Sequence, residues 1–283
     1  MSDVRIEEPE IKKEQVLVVK DEYFKPENVC IVTGAASGIG RAVAIAMAIN
    51  NVTVVGFDMN EKGGIKTAET VKEFGGKMIF VKADLSKDED IENAVKEAAK
   101  AGTIKFLANI AGIQHIDPIE NFPMQIYDKM MAIMLRAPFY LSKLTIPYMK
   151  NSKDGYGVIG NMASVHAHIC TSNKPVYNMT KFGLRGLTQS IAAEGNGKIR
   201  SFSVSVGYVS TPLALNQIEP TVKQRGITPE EVVKDVWLGK SRVKEMMTPI
   251  EVANLFVAGS SQFLSKHLVG GDLLFDGGMV LTY

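Results

Sequence analysis

The chain has 283 residues, a length that suits one large α/β domain able to bury a substantial core. Hydrophobic residues make up 46% and charged residues 22%, the balance of an ordinary soluble globular protein. Lys+Arg 32 against Asp+Glu 31 leaves a net charge of +1, so nothing favours nucleic acid or an anionic membrane as a partner. Two cysteines, Cys30 and Cys170, supply neither a disulfide framework nor a zinc pattern, and no metal is expected.

The N-terminus, "MSDVRIEEPEIKKE", mixes acidic and basic residues and matches neither a secretory signal nor a transit peptide. Apolar runs are all shorter than the roughly 18 residues that a membrane span needs. A cytoplasmic location is therefore the expectation. Residues 1–27 are predicted to be a charged extension with a short strand at 15–19, and residues 28–283 to be one folded domain.

From residue 29 onwards, short apolar runs alternate with longer helical patterns. Such alternation predicts repeated βαβ units and a parallel sheet covered on both faces, that is, a single Rossmann-like doubly wound α/β fold of about seven strands. Strands are predicted around residues 29–34, 52–58, 77–86, 104–112, 156–164, 199–207 and 271–278. Helices are predicted at 38–50, 61–76, 87–102, 124–149, 175–195, 228–237 and 248–260, the last two beginning with a Thr-Pro capping box.

A glycine-rich turn, "TGAASGIG", joins the first strand to the first helix. Gly34 permits a tight turn, Gly38 lets the backbone approach a pyrophosphate, and Gly40 lets the helix pack on the sheet. The helix N-terminus then offers free N–H groups to phosphate. A turn of this kind between strand and helix indicates a dinucleotide site.

Asp58 ends the second strand, 18 residues after Gly40. A carboxylate there accepts hydrogen bonds from both ribose hydroxyls of NAD and repels the 2′-phosphate of NADP, so NAD is the predicted cofactor. Asp84 ends the third strand at the same edge. Two interpretations of Asp84 stay open: a contact with the adenine, or a solvated loop acid.

Tyr177 and Lys181 are one helical turn apart in "PVYNMTKFGLRG". Together with T-G-x-x-x-G-x-G at 33–40, N-x-A-G at 109–112 and Ser164, this pair makes the chain from about Val29 onwards resemble the short-chain dehydrogenase/reductase family. The resemblance implies Ser164, Tyr177 and Lys181 as catalytic residues. It also implies that the dinucleotide is bound by Gly34, Ser37, Gly38, Ile39, Gly40, Asp58, Asp84, Leu85, Asn109, Ala111, Gly112, Tyr177, Lys181, Val209 and Thr211.

The implied chemistry explains the residue types. Tyr177 removes the proton of an alcohol, or returns it in the reverse direction. Its ordinary pKa of roughly 10 makes it a poor base at neutral pH. Lys181 and the cationic nicotinamide are expected to lower that pKa. Ser164 holds the substrate oxygen, Lys181 also binds the ribose, and Asn109 ties neighbouring strands together.

Within the family, the phrases "NIAGIQHIDPIENFP", "NMASVHAH", "NKPVYNMTK" and "YVSTPLALNQI" resemble the 3-hydroxybutyrate dehydrogenase branch. That branch holds the substrate carboxylate with two glutamines, a histidine and a lysine. The matching substrate-binding positions are Gln114, His166, Lys174 and Gln217, next to Ser164 and Tyr177. A small 3-hydroxy acid is therefore the expected substrate.

The sequence departs from the family pattern at three places. Met134 stands where the family has a catalytic asparagine that is thought to hold a water beside Lys181, and a thioether is a weak acceptor. Val206 and Gly207 replace a Pro-Gly pair. Tyr208 and Met279 stand where the branch has tryptophans over the substrate, which indicates a reshaped pocket that accepts a bulkier acid.

Two hypotheses remain open at this point. One is an NAD-dependent 3-hydroxy-acid dehydrogenase, or a dehydrogenase of another alcohol. The other is an NAD-binding interaction protein that keeps the fold and has lost the chemistry, as Met134 suggests. The family resemblance also implies a homotetramer formed through the helix that carries Tyr177 and the long helix before it.

Overall fold

The computed structural model describes residues 7–281. Seven parallel strands form one sheet in the order β3-β2-β1-β4-β5-β6-β7, which confirms the predicted fold class. The strands are β1 Asn28–Thr33, β2 Thr53–Asp58, β3 Met78–Lys82, β4 Thr103–Asn109, β5 Gly157–Met162, β6 Ile199–Val206 and β7 Asp272–Phe275. The strand order reverses between β1 and β4, and a parallel sheet opens a ligand crevice at the carboxyl ends of its strands at such a reversal.

Helices cover both faces of the sheet. Their bounds are α1 Gly38–Ile49, α2 Glu61–Glu73, α3 Asp88–Ala101, α4 Met124–Met131, α5 Ala137–Lys150, α6 Pro175–Glu194, α7 Pro212–Leu215, α8 Ile218–Arg225, α9 Pro229–Glu231, α10 Pro249–Ser260 and α11 Gln262–Ser265. Both predicted capping boxes form, at Thr228 and at Thr248. The short helices α7, α8 and α11 were not predicted, because segments of four to eight residues carry too little periodicity to be recognised.

The helix predicted at 124–149 contains a π-helical turn, Ala132–Arg136, between α4 and α5. Such turns are rare and occur frequently at functional sites. Here the turn carries Ile133 and Met134, both buried, so it determines which side chains of this long helix face the crevice.

Two apolar layers sandwich the sheet. One layer packs α1 and α10 against one face, and the other packs α3, α5 and α6 against the opposite face. Every residue of β1, β5 and β6 is buried as a result. This explains why the sequences of β1 and β5 do not alternate apolar and polar residues. The sequence of β6 does alternate, and its buried Arg200 and serines are hydrogen-bonded.

The strand predicted at residues 15–19 is wrong. The segment begins with a 3₁₀ turn, Lys13–Gln15, and then runs past α10 and the C-terminal end of α1. Its backbone pairs with side-chain amides: the N–H of Leu17 donates to Asn254 at 2.8 Å, and the N–H of Val19 donates to Asn50 at 2.8 Å. Residues 15–19 pair with none of the seven strands of the described sheet. Among residues 7–281, every helix is too short or too polar to cross a membrane.

Candidate active site

A cavity of about 410 Å³ opens at the carboxyl ends of the central strands. One end lies at the glycine-rich turn and Asp58, and the other end lies at Lys174 and Gln217. The cavity therefore joins the residues predicted for a dinucleotide to those predicted for a small acid.

The glycine-rich turn approaches its neighbours more closely than any side chain would allow. Gly34 has φ +70°, and a Cβ there would lie 3.0 Å from Cα of Ala111. Gly38 has φ +54° and borders Thr211, and a Cβ on Gly40 would lie 2.0 Å from the carbonyl oxygen of Gly34. These contacts explain why glycine occupies all three positions.

The N-terminus of α1 presents backbone donors at this turn. Ser37 is the N-cap and makes no side-chain capping bond, and the first bond back into the turn runs from Arg41 N–H to Ser37 O at 3.1 Å. The N–H groups of the residues between them precede the helical ladder. The N–H of Gly38 donates to a carboxylate oxygen of Glu8 at 3.0 Å. Glycines that permit close approach, free donors and an anion already bound to one of them fit the phosphates of a dinucleotide.

The two acids after β2 and β3 differ in their surroundings. Asp58 lines the cavity and accepts hydrogen bonds from Ala36 N–H at 3.0 Å and Asn60 N–H at 2.8 Å, which fix it beside the turn. Asp84 instead accepts from the hydroxyl of Ser86 at 2.7 Å, and this bond holds the pKa of its carboxyl below the usual value. Asp84 is not among the residues that line the cavity, and its carboxylate binds the loop residue Ser86. Its contact with the adenine stays a prediction.

The remaining residues predicted to bind the dinucleotide lie along the same cavity, with one exception. Those that line it are Gly34, Ser37, Gly38, Ile39, Gly40, Leu85, Ala111, Gly112, Tyr177, Lys181, Val209 and Thr211. Asn109 is the exception. Its amide donates to Asn161 at 2.9 Å and thereby ties β4 to β5, the structural role that the resemblance implies.

Ser164, Tyr177 and Lys181 meet in the middle of the cavity. Ser164 follows β5, while Tyr177 and Lys181 lie on α6. The ammonium of Lys181 is 5.3 Å from the ring centroid of Tyr177 and donates to the carbonyl oxygen of Met162 at 2.7 Å. A phenol, a hydroxyl and an ammonium thus face one space.

The electrostatics of this group differ from the sequence expectation. Burial raises the pKa of Tyr177, and a hydrogen bond with Ser164 opposes that rise. Burial also lowers the pKa of Lys181 to about 7. Lys181 therefore carries only part of a charge at neutral pH, and the protein groups alone leave the pKa of Tyr177 raised. The lowering by Lys181 and the cationic nicotinamide together stays a prediction. Additional positive charge is required to make the phenol a base.

His166 is held by protein groups at both ring nitrogens. Nδ1 is 3.2 Å from Oγ of Ser164, and Nε2 is 2.9 Å from Oγ1 of Thr171. Burial, followed by the charges of Lys174 and Lys181, lowers the pKa of His166 to about 3, so the ring is neutral. In this arrangement His166 orients Ser164. It also lines the cavity, and its contact with the substrate carboxylate stays a prediction.

Lys174, Gln217 and Gln114 form the far end of the cavity. Nζ of Lys174 donates to Oε1 of Gln217 at 3.4 Å, a long bond, and lies 5.7 Å from the ring centroid of Tyr208. Burial lowers the pKa of Lys174 to about 8. Oε1 of Gln114 is buried and has no hydrogen-bond partner among the described residues. Lys174 offers a cation to a carboxylate, and the side-chain NH2 groups of Gln114 and Gln217 are the amide donors from which it could accept, since an amide oxygen only accepts.

Met134 lies beside the catalytic group but makes an apolar environment. It is 1% exposed, packs with Met130, Ile133 and Val176, and lines the cavity. The π-helical turn directs it inwards, as it would direct the asparagine of the family pattern. A sulfur atom therefore stands where the family places a polar side chain.

Two partners in this site were missed by sequence reasoning. Trp237 stacks on Tyr208 with ring centroids 4.7 Å apart and planes 5° apart, and Thr171 binds His166. Trp237 was visible as the single tryptophan of the chain, but nothing local to it indicated Tyr208 as its neighbour.

The outcomes at the other departures are mixed. Val206 ends β6, and the loop after Gly207 is held by a bridge between Val209 and Met247. Met279 is buried, yet the cavity lining does not include it. Of the two residues that stand where the branch has tryptophans, Tyr208 borders the cavity and Met279 does not. No group of three or more potential metal-ligating side chains exists among residues 7–281.

Comparisons with known proteins agree with this geometry. A family profile described as short chain dehydrogenase matches residues 28–221. The chain is 33% identical to "D-beta-hydroxybutyrate dehydrogenase" from Rhizobium meliloti (strain 1021) over 88% of this chain and 96% of that protein. It is also 33% identical to a protein of the same name from Cupriavidus necator, over 88% and 96%.

Solved structures show the same fold. A short-chain type dehydrogenase/reductase from Mycobacterium marinum superposes with a TM-score of 0.81 at 23% identity, over 92% of this chain and 99% of that one. A putative NAD(P) dependent gluconate 5-dehydrogenase from Beutenbergia cavernae, with bound NADP, gives 0.80 at 25% identity, over 92% and 100%. With the profile match across most of the domain and relatives aligned over nearly their whole length, the chain belongs to the short-chain dehydrogenase family of oxidoreductases.

Proposed function

We propose that the protein is an NAD-dependent dehydrogenase that interconverts a small 3-hydroxy acid, of the 3-hydroxybutyrate type, and its 3-keto acid. The observation that carries this proposal is the single cavity in which Ser164, Tyr177 and Lys181 stand between a dinucleotide-binding turn and Lys174. NAD bound along the turn would accept the hydride. Further support comes from the relatives named D-beta-hydroxybutyrate dehydrogenase.

The residues of this chain perform the proton chemistry and the positioning. Ser164, oriented by His166, holds the substrate oxygen by a hydrogen bond. Tyr177 takes the alcohol proton at its phenolic oxygen or returns it to the developing alkoxide. Lys181, in its protonated form, supplies charge next to the phenol, and Lys174 with Gln114 and Gln217 binds the carboxylate at the far end. The substrate carbon that reacts is thereby held between two fixed ends.

The direct test follows NADH absorbance with purified protein, NAD and each enantiomer of 3-hydroxybutyrate, followed by longer and branched 3-hydroxy acids. The panel is informative because Tyr208, which stacks on Trp237, lines the cavity where the family branch has a tryptophan. If the pocket is reshaped, a bulkier acid is the preferred substrate. NADH formation with a 3-hydroxy acid supports the proposal. Turnover only with alcohols that lack a carboxylate contradicts the substrate class.

The choice of NAD over NADP rests on Asp58. We expect Asp58→Ser to raise kcat/KM for NADP relative to NAD by about tenfold or more, because the carboxylate that opposes a 2′-phosphate is gone. Asp84→Asn is the matched control, since it removes an acid at the end of the adjacent strand whose carboxylate is bound to Ser86. Equal effects of the two variants would contradict the role of Asp58 and favour an adenine contact for Asp84.

A second function is favoured by one observation, the apolar Met134 in the cluster that packs against Tyr177. In this second case the chain is an NAD-binding protein with impaired catalysis, which would bind NADH and oxidise the acids of the panel only very slowly. We expect Met134→Asn to raise turnover by about two- to tenfold, as a polar group next to Lys181 supports proton transfer. Met134→Leu, which keeps the site apolar, is the control. A folded Met134→Asn variant with lower turnover than the wild type would show that the site works without that relay.

A homotetramer remains a proposal. The long helix and α6 expose large apolar side chains, among them Phe139, Tyr148, Met179 and Phe182, and contacts between copies would bury them. Sedimentation of the purified chain as a monomer at micromolar concentration would contradict this assembly.

A further inference from the structure

The N-terminal segment reaches the edge of the proposed dinucleotide site. Oε1 of Glu8 accepts the hydrogen bond from Gly38 N–H at 3.0 Å, and Oε2 lies 3.9 Å from the guanidinium of Arg41. The two side chains are partly shielded from solvent: that of Arg41 is 25% exposed and that of Glu8 is 22% exposed. A carboxylate of this chain thus occupies one donor of the turn that phosphate would use.

Gly38 is the first residue of α1 and lines the cavity. Its N–H group belongs to the free donors at the positive end of the helix dipole, where an anion is stabilised. The carboxylate of Glu8 and the pyrophosphate of a dinucleotide are both anions that suit this position. If both were near the Gly38 N–H, the carboxylate and the pyrophosphate would repel each other, because two negative charges would be a short distance apart.

The segment behind Glu8 is firmly attached, so its carboxylate has a high local concentration at the turn. Asn254 donates to the carbonyl oxygen of Gln15 at 2.9 Å and accepts from Leu17 N–H at 2.8 Å, and Val16 is buried in the core. A tethered group competes with a free ligand at an effective concentration that a short linker makes large.

Arg41 gives the contact a second consequence. Its NH2 donates to the carbonyl oxygen of Ala36 at 2.7 Å while its NH1 faces Glu8. When Glu8 leaves, this guanidinium loses its acidic partner and becomes available to a phosphate.

We propose that Glu8 is a determinant of dinucleotide affinity: its carboxylate acts as a tethered competitor for the phosphate-binding turn, which the dinucleotide must displace. This inference rests on the proposed function, since it needs a dinucleotide at the turn. It assigns a role to residues 7–27 that charge composition alone did not indicate.

The test measures NADH affinity by protein-bound NADH fluorescence for the wild-type chain, Glu8→Ala and Glu10→Ala. Glu10 is exposed and two residues away, so its variant removes the same charge without touching the turn. We expect Glu8→Ala to lower the Kd for NADH by about three- to tenfold and Glu10→Ala to leave it unchanged. Glu8→Gln, which keeps an acceptor but removes the charge, should lie between wild type and Glu8→Ala.

Competition by ADP and by adenosine locates the effect. Glu8→Ala should tighten ADP and leave adenosine unchanged, because only ADP carries the phosphates. An unchanged or weaker NADH affinity in Glu8→Ala, or an equal gain for adenosine, would overturn the inference. Failure of the wild-type chain and of Glu8→Ala alike to bind NADH would overturn the proposed function itself, and so the two failures are distinguishable.

Discussion

Replacing Tyr177 by phenylalanine should reduce turnover by roughly 10²- to 10⁴-fold, the range that a placed acid–base group contributes. The variant removes one hydroxyl from the middle of the cavity and keeps the ring that packs edge-on against His166, with centroids 5.4 Å apart. NADH affinity should therefore be nearly unchanged. Steady-state rates and NADH fluorescence titration together measure the two quantities.

Tyr148→Phe is the matched control, because it deletes the same hydroxyl from an exposed position on α5. It should leave both turnover and NADH affinity at wild-type values. Undiminished turnover of Tyr177→Phe with the preferred substrate would refute the assigned role. Since burial raises the pKa of Tyr177, the phenol is mainly protonated at neutral pH, so kcat for oxidation at saturating substrate should rise with pH in the wild-type chain.

Replacing Lys174 by methionine should raise KM for the hydroxy acid by about 100-fold, since truncation of one partner of a desolvated charge pair costs several kcal/mol. The rate at saturation should change much less, because Lys174 binds the carboxylate and takes no part in the proton transfer. A neutral methyl ester of the same substrate should show no such rise. Lys153→Met, at an exposed lysine, is the control.

The pH dependence of the same residue gives an independent readout. Burial lowers the pKa of Lys174 to about 8, so the ammonium is present below that pH and lost above it. For the wild-type chain, kcat/KM with the acid should fall as pH rises through about 8. Lys174→Met should lack that decrease, and Lys174→Arg should keep its charge to higher pH. A methionine variant with the wild-type profile would remove Lys174 from the site.

Local patterns in the sequence were sufficient for most of the fold. The apolar runs predicted all seven strands, and the Thr-Pro capping boxes marked the first turns of the helices at Thr228 and Thr248. These features depend on neighbours a few residues apart, which a single sequence displays directly. The strand predicted at 15–19 was wrong because its formation depends on distant residues. These residues have strand propensity, but in the folded chain the backbone N–H groups of Leu17 and Val19 bind the side-chain amides of Asn254 and Asn50.

Within the site, the sequence by itself determined which chemical groups are present: a turn of three glycines, an acid after β2, and a hydroxyl, a phenol and an ammonium at family spacing. Only the tertiary structure decided what each group contacts. It bound His166 between Ser164 and Thr171, turned Asp84 towards Ser86, and brought Glu8 to Gly38 across 30 residues of chain. Hydrogen-bond partners and burial set the charge of a side chain, and both arise from residues that are distant in sequence and adjacent in space.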